Sequence, residues 1–407
     1  MIKLLHMADV HIGMENYGRL NPESGLNTRL HDFLDTLDEA VDRAITEQVD
    51  AVVVAGDVYK SRDPSPTHQR EFARRVLRLT RADIQVVLVP GNHDTPMAAG
   101  RATSLDIFRA LELPGVNVLR RIGVTRIATR SGPLQVVALP WIVRSVFMAD
   151  DARKNLPMQE LLENIGGVID EALQEACASL DPAIPAVLVG HAHVFGARVG
   201  AERLLTLGND PMLNASMLDL PGVGYHAMGH IHKHQAVVTG QRAVVYAGSI
   251  NRVDFSEESE PKGFVLVELQ AGKSEWEFVP VKARPFLTIR SEPFSDIPTD
   301  EVIKTILRAG PRIDGAIVRL QLAGTRAQLS AIDERELRRH LAEAHFVIPI
   351  QREFTDEVRQ RFAGADVQGR TPLELLSLYF ERQSTTINTD RREQLLARAR
   401  ALMSAGE

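Results

Sequence analysis

Val86-Val87-Leu88-Val89-Pro90-Gly91-Asn92-His93-Asp94 joins a β-branched apolar run to a turn that carries an amide, an imidazole and a carboxylate. A short apolar run closed by Pro and Gly reads as a buried parallel strand, and loops at the carboxyl ends of such strands are where open α/β sheets hold their ligands. The pattern occurs four more times. Asp9-Val10-His11 follows Leu4-Leu5, Gly56-Asp57 follows Ala51 to Ala55, Gly190-His191 follows Ala186 to Val189, and Gly229-His230-Ile231-His232 completes the set. The five turns are expected to converge on one site.

Helical periods fill the gaps between the strands. Leu30, Phe33, Leu34, Leu37, Val41, Ala44 and Ile45 repeat at helical spacing from Thr28 to Gln48; a second helix is expected around Gln69 to Thr80; Leu161, Leu162, Ile165, Ile169 and Leu173 mark a third. Ala243 to Ala247 and Phe264 to Leu269 follow one another closely, the spacing of a more antiparallel sheet. The class is α/β. Residues 1–280 are expected to form two sheets packed face to face, with helices outside and the site along one rim.

Imidazole, carboxylate and one amide, with no thiolate, suit a pair of borderline to hard divalent cations, manganese first. Two cations about 3.5 to 4 Å apart need a bridging ligand, and a carboxylate offers one oxygen to each. Asp57, alone in its turn, is the expected bridge. Asp9 and His11 stand two apart on an extended segment and are expected to point toward one ion, and His230 and His232 repeat that spacing. Asn92 offers its amide oxygen. In Gly190-His191-Ala192-His193 either imidazole can serve. Each turn alone has a plainer reading, since a His after a strand is usually a hydrogen-bonded loop residue and Gly-Asp is usually a turn. Five in order, each after a strand-like run, outweigh it.

The ordered series resembles the calcineurin-type metallophosphoesterases. Within them it more closely resembles the SbcD family, nuclease subunits of the bacterial SbcCD DNA-repair complex and relatives of the eukaryotic and archaeal double-strand-break repair nuclease. That second likeness rests on Gly248-Ser249-Ile250-Asn251-Arg252-Val253-Asp254-Phe255, then Glu257-Glu258 and Lys262-Gly263-Phe264. It covers most of residues 1–280, and the remainder only in layout. The family pattern of Gly-His with a Gly five residues after the His fits His191 with Gly196, and so favours His191 over His193.

The resemblance implies the metallophosphoesterase fold, with one metal held by Asp9, His11, Asp57 and His232 and a second by Asp57, Asn92, His191 and His230. His93 is left free of metal, to protonate or hydrogen-bond the leaving oxygen as an imidazolium. Asp94 is expected to orient that ring. The implied nucleophile is a metal-bridged water attacking a phosphodiester in line, without a covalent enzyme intermediate.

At 407 residues, 44% hydrophobic and 25% charged, the composition is that of a soluble globular protein with room for two or three domains. No apolar stretch approaches a membrane span, and the first residues lead straight into Asp9 rather than into a signal-peptide pattern. The single cysteine, Cys177, excludes an internal disulfide and lies in a helical pattern away from the motifs. The expected compartment is the cytoplasm.

Charge argues against a simple DNA binder. Residues 1–280 carry 27 Lys and Arg against 35 Asp and Glu, a balance of −8, while residues 281–407 carry 20 against 18, or +2. A protein that relies on its own phosphate contacts usually shows a basic surface. Two divalent ions supply positive charge where the scissile phosphate sits. Lys60, Arg62 and Arg252, on loops near the motifs, are either DNA contacts or solvated loop charges. A weak intrinsic grip suits a subunit that borrows DNA binding from a partner.

After Pro280 strands and helices alternate compactly: Phe286 to Arg290, a helix from Asp300 to Ala309 closed by Gly310-Pro311, Ile317 to Leu322, a helix opened by the capping box Asp333 to Glu336, and the strand Phe346 to Ile350. Residues 281–352 resemble the α+β capping domain of SbcD-like nucleases, which implies a place beside the active site; a domain that only stabilises is the other reading. The chain from Gln351 is polar and reads as a linker, bounded at 353–370. Residues 371–407 follow. Thr371-Pro372-Leu373-Glu374 combines an N-cap, a first-turn proline and a capping-box glutamate, opening a helix with Leu375, Leu376, Tyr379 and Phe380. Asp390 to Glu393 opens another, with Leu395, Leu396 and Ala399. Two short amphipathic helices cannot bury both apolar faces alone. The resemblance implies docking on the coiled coil of an SbcC-type ATPase, with a homodimer inside a heterotetramer; packing back on their own domain is the alternative.

Three functions stay open. The first is a two-metal DNA nuclease, cutting double-stranded ends as an exonuclease and single strands or hairpins as an endonuclease, in double-strand-break repair. The second, a phosphoesterase for a small molecule or phosphoprotein, shares all five turns. The third is a subunit without chemistry, which an intact ligand set opposes. Gly248 to Phe264 and the C-terminal helices favour the first, since a small-molecule enzyme needs neither.

Overall fold

The computed structural model describes residues 1–98, 100–144, 157–200, 211–240, 242–291, 298–355, 371–382 and 389–404. They form two compact units: Met1–Ile289 with Ile306–Leu320 and Arg338–Pro349, and Arg290–Thr305 with Gln321–Leu337 and Ile350–Glu407.

Two six-stranded sheets build the first unit. One runs Lys273–Pro280, Gly263–Gln270, Ile2–Met7, Ala51–Ala55, Gln85–Val89, Val116–Val118. The other runs Gln235–Val238, Ala243–Tyr246, Val223–Gly229, Ala186–His191, Gly132–Leu139, Gly123–Thr129. The second has a parallel centre with an antiparallel strand at each margin; in the first, Ile2–Met7, Ala51–Ala55, Gln85–Val89 and Val116–Val118 run parallel and the Gly263–Gln270 and Lys273–Pro280 side is antiparallel. Three motif-bearing strands are neighbours in the first sheet and two in the second, so their carboxyl ends deliver all five turns.

The motif runs are continuously apolar because both faces are covered. Along Ala51–Ala55, Val52 and Val54 pack with Leu30, Phe33, Leu37, Phe72 and Val76 of the outer helices, while Val53 packs with Val187, Tyr225 and Val245 of the facing sheet. On the far side Leu161, Ile165, Ile169 and Leu173 cover Val137, Leu188 and Met228. The helices are Thr28–Thr46, Pro66–Arg81 and Met158–Ala178. The second starts earlier than its apolar period because Ser65 caps it, accepting from the His68 amide, and Pro66 fits the first turn.

Closeness in sequence misplaces one pair. Ala243–Tyr246 and Gly263–Gln270 lie in different sheets, the former parallel to Val223–Gly229, because the chain between them crosses from one sheet to the other and pairs Ser249 with Ala8 on the way.

Within the first unit, Ile317 and Val318 pair in parallel with Phe346 and Val347, and Phe255, Phe286, Ile317 and Ile348 form a small separate core. Within the second unit, Gln321 to Gly324 pair in parallel with Gln351–Phe354. The polar stretch expected to be linker from Gln351 therefore begins as an exposed strand held by backbone hydrogen bonds; 356–370 lie outside the described residues. The Thr371–Glu374 capping box closes, Thr371 N–H donating to Glu374 Oε2 at 2.7 Å and Glu374 N–H to Thr371 Oγ1 at 3.3 Å. It opens the helix Pro372–Arg382, which packs against Thr389–Ser404 and buries Phe380. No helix among the described residues is long and apolar enough to cross a membrane.

Candidate metal centre

Asp9, His11, Asp57 and His230 all sit at positive φ, at 50°, 48°, 53° and 94°. This corrects the expectation of an extended Asp9–His11 segment: left-handed backbone, not strand alternation, turns these side chains inward. Such conformations in non-glycine residues cost about 1–3 kcal/mol each and persist only where the surroundings enforce them. Close approach explains two glycines. A Cβ on Gly56 would stand 2.1 Å from His191 Nδ1, and one on Gly91 would stand 2.2 Å from Asp57 Oδ1.

The turns meet in a buried cluster. Asp9, His11 and His232 bring ligand atoms within 4.8 Å of one another, as do Asp9, Asp57 and His191. Asp57 Oδ2 lies 3.9 Å from His11 Nε2 and 3.4 Å from His191 Nε2, between the two groups. Its Oδ1 accepts the His93 amide at 2.8 Å. Asn92 Oδ1 stands 2.9 Å from His191 Nε2 and 3.3 Å from His230 Nδ1. Both Asp9 oxygens accept the His230 amide, at 3.0 and 3.1 Å.

Hydrogen bonds behind the cluster fix which nitrogen faces inward. His191 Nδ1 donates to the Ala55 carbonyl at 2.8 Å, so Nε2 faces Asn92 and Asp57. His232 Nδ1 donates to Glu257 Oε1 at 2.7 Å, so its Nε2 faces His11 Nε2 at 2.9 Å. With Nδ1 as the donor, His191 Nε2 meets Asn92 Oδ1 and Asp57 Oδ2 as a third acceptor, and acceptors at these distances need positive charge among them. A proton meets the need at His191, which Asp57 lifts to about 9 against the effect of burial. Burial also opposes ionisation of Asp57, yet His191, His11 and His93 hold it far below the usual carboxylate range. Burial, with the charge of Asp57, raises Asp9 to about 7. Burial drives His11 and His230 well below the ordinary imidazole range, and His11 Nδ1 and His230 Nε2 are buried without a hydrogen-bond partner among the described residues. Nitrogen and oxygen donors in this arrangement fit divalent cations.

His93 lies at the edge, its ring 5.1 Å from that of His11. Its Nδ1 donates to the Lys60 carbonyl at 2.7 Å, leaving Nε2 as the nitrogen that can pass a proton. Asp94 does not orient it. That carboxylate is fully buried and accepts the amides of Gly91, Val58 and Tyr59 and the Ser104 hydroxyl, pinning the Asp57 loop to the Asn92 loop. Burial raises its pKa to about 6.

The three candidate DNA contacts divide. Arg252 is an internal strut whose guanidinium donates to the carbonyls of Glu257, Glu260, Ala283 and Arg284, so it has little left for a phosphate. Arg62 Nε donates to the Thr95 carbonyl at 2.8 Å, and Lys60 is half-buried. His193 is buried, its ring 6.2 Å from that of His230.

Two supporting residues, Glu257 and Lys262, stand in a stretch whose sequence assigns neither a role. Lys262, fully buried, pairs with Glu257 at 2.8 Å and Glu260 at 3.0 Å, and donates to the His232 carbonyl at 3.1 Å. Lys262 and His232 together hold Glu257 down to about 2 despite burial. Trp141 carries no motif signal, yet its ring lies 5.2 Å from that of His230 and 6.0 Å from that of His191.

Residues 2–234 match the sequence model of the calcineurin-like phosphoesterases. The chain is 25% identical over 312 residues to the DNA double-strand break repair protein Mre11 of Archaeoglobus fulgidus, covering 72% of this chain and 62% of that protein. It thus spans less than two thirds of that relative's length. It is 28% identical over 347 residues to the SbcD subunit of the SbcCD nuclease of Rhodobacter capsulatus, covering 80% and 81%. To the SbcD subunit of Escherichia coli it is 26% identical over 279 residues, covering 67% and 66%. With that match over more than half of its length, the chain belongs to the calcineurin-like phosphoesterase family.

Proposed function

We propose that this chain is a two-metal DNA nuclease, acting on double-stranded ends as an exonuclease and on single strands and hairpins as an endonuclease, in double-strand-break repair in the cytoplasm. The observation that carries the reading is the convergence of Asp9, His11, Asp57, Asn92, His191, His230 and His232 from five loops, in a chain similar to proteins named as nucleases.

Asp9, His11, Asp57 and His232 would hold one ion and Asp57, Asn92, His191 and His230 the other, manganese in each. Such a pair, when bound, supplies Lewis acidity and an activated water for in-line displacement at phosphorus. The chain itself does the rest. Glu257 and the Ala55 carbonyl fix the ligand rings from behind. His93, anchored through Nδ1, holds on Nε2 the proton for the leaving oxygen. Lys60 and Arg62 stay candidates for phosphate contact. The segments 281–352 and 371–407 serve as capping domain and docking segment for an SbcC-type ATPase, in a heterotetramer with two copies of this chain.

The test is to strip the chain of metal, add manganese, and offer linear duplex, hairpin and circular single-stranded DNA beside p-nitrophenyl phosphate esters and cyclic nucleotides. Cutting of DNA supports the reading. Hydrolysis of the small esters alone gives the site to the second function, a small-molecule phosphoesterase.

A further inference from the structure

Two cavities adjoin on the Trp141 side of the metal centre. One, of about 400 Å³, is lined by Trp141, Pro90, Thr95, Arg101, Arg120 and Arg121 among others. The second, of about 470 Å³, shares Arg120 and Arg121 and extends to Arg109. Among the described residues no carboxylate lines either one. That is notable in residues 1–280, whose charge balance is −8. Arg101 and Arg121 are exposed and make no ion pair among the described residues; Arg120 holds Asp106 at 3.0 Å. At the inner end the indole of Trp141 lies beside the imidazoles of His230 and His191.

Resting on the nuclease reading, we propose that Arg101, Arg120, Arg121 and Trp141 form a cleft that holds a single DNA strand and feeds it to the metal centre. Guanidiniums take phosphates by charge and paired hydrogen bonds. The indole, with Pro90, Pro140 and Ile142, offers an apolar wall against which an unstacked base can lie, and base-on-aromatic stacking tolerates any sequence. A duplex keeps its base faces inside and presents phosphates and groove edges, so it uses the arginines but not the indole. The cleft thus places the cationic grip in residues 101–121, where Arg252 cannot supply it.

The test uses the full chain with metal chelated, so that no strand is cut, and follows the fluorescence anisotropy of a labelled single-stranded oligonucleotide and of a blunt duplex between 50 and 200 mM salt, a range across which three phosphate contacts to a single strand change affinity by roughly 20-fold. Arg101→Gln with Arg121→Gln is expected to weaken single-strand binding at least tenfold. It should also reduce the slope of log affinity against log salt by about 1.4, for two lost contacts to a single strand. Arg198→Gln with Arg242→Gln, outside the cavity lining, is the charge-matched control and should shift binding less than twofold. In a Trp276→Phe background Trp141 is the remaining tryptophan, and its emission should be quenched by the oligonucleotide. Single-strand binding within twofold of the parent in the first pair, an equal loss in the control, or an unquenched Trp141 overturns the cleft. So does quenching of Trp141 by the blunt duplex as strong as that by the single strand. If the parent chain still cuts DNA with manganese, such a failure removes the cleft and leaves the nuclease reading; a parent that cuts no DNA removes both.

Discussion

Glu257 is the side chain on which His232 depends. It accepts the proton of Nδ1 at 2.7 Å and is itself clamped by Lys262, with both partners of that ion pair almost fully buried. Glu257→Gln keeps an acceptor and tests the charge; Glu257→Ala also removes the acceptor of His232 Nδ1 and leaves Glu260 as the carboxylate that pairs with Lys262. Manganese titration calorimetry should show affinity falling 10- to 100-fold in the Gln variant, the usual consequence of removing such a support. Unchanged affinity would show that the contact only packs the loop. At His93, replacement by Asn should lower DNA cleavage about 100-fold or more, with manganese stoichiometry unchanged. Retained cleavage takes His93 out of the mechanism. The ligand residues were legible because each ends an apolar run, and the burial of such runs is written in composition. Asp94 was not, since its carboxylate direction is set by a turn that folds back on the amides of Val58 and Tyr59, 36 and 35 residues away. Arg252 looked like a surface cation because nothing local announces the four carbonyls it ties.

At the scale of elements, strand and helix positions followed from apolar period and caps, while partner choice did not. Ala243–Tyr246 and Gly263–Gln270 show why: pairing across sheets is decided by where the intervening chain runs, which has no periodic signature. The short strand Gln351–Phe354 was missed because an exposed edge strand owes its order to backbone hydrogen bonds, leaving its side chains free to be polar. Two strand histidines carry a pH prediction. Burial holds His6 at about 3 and His226 at about 4, against 6.5 for an unburied ring. Below about pH 6.5 the unfolded chain takes up protons that the folded chain refuses, so stability present above that pH is lost as pH falls toward 4. Each ring adds a slope of about 1.4 kcal/mol per pH unit in that window. Urea midpoints measured from pH 7.5 to 4.5 should fall accordingly, and His226→Gln should flatten the fall; an identical slope refutes the assignment. Deleting residues 371–407 should leave manganese-dependent cleavage of short DNA intact and abolish co-purification with the SbcC-type ATPase proposed as its partner. Survival of the complex would mean that the two helices, which already pack on one another, serve only their own chain.

For the molecule as a whole, the sandwich is what makes the chemistry reachable. Asp9, Asp57 and Asn92 come from the ends of one sheet's strands and His191, His230 and His232 from the other's, so the cluster exists only when both sheets have packed. Bound ions should therefore stabilise the folded state by the binding free energy they contribute, and chelation should lower the melting temperature reversibly. The alternation of strand and helix made this architecture readable from the amino-acid sequence, as did the order of the five turns. The left-handed backbone at Asp9, His11, Asp57 and His230 was not readable, because it is imposed by tertiary contact on residues that do not favour it. The most direct test is anomalous diffraction from crystals soaked in manganese. Two peaks about 3.5 to 4 Å apart are expected, one against His11 and His232 and the other against Asn92 and His191, with Asp57 between them. A single peak, or manganese bound away from these side chains, would contradict the account.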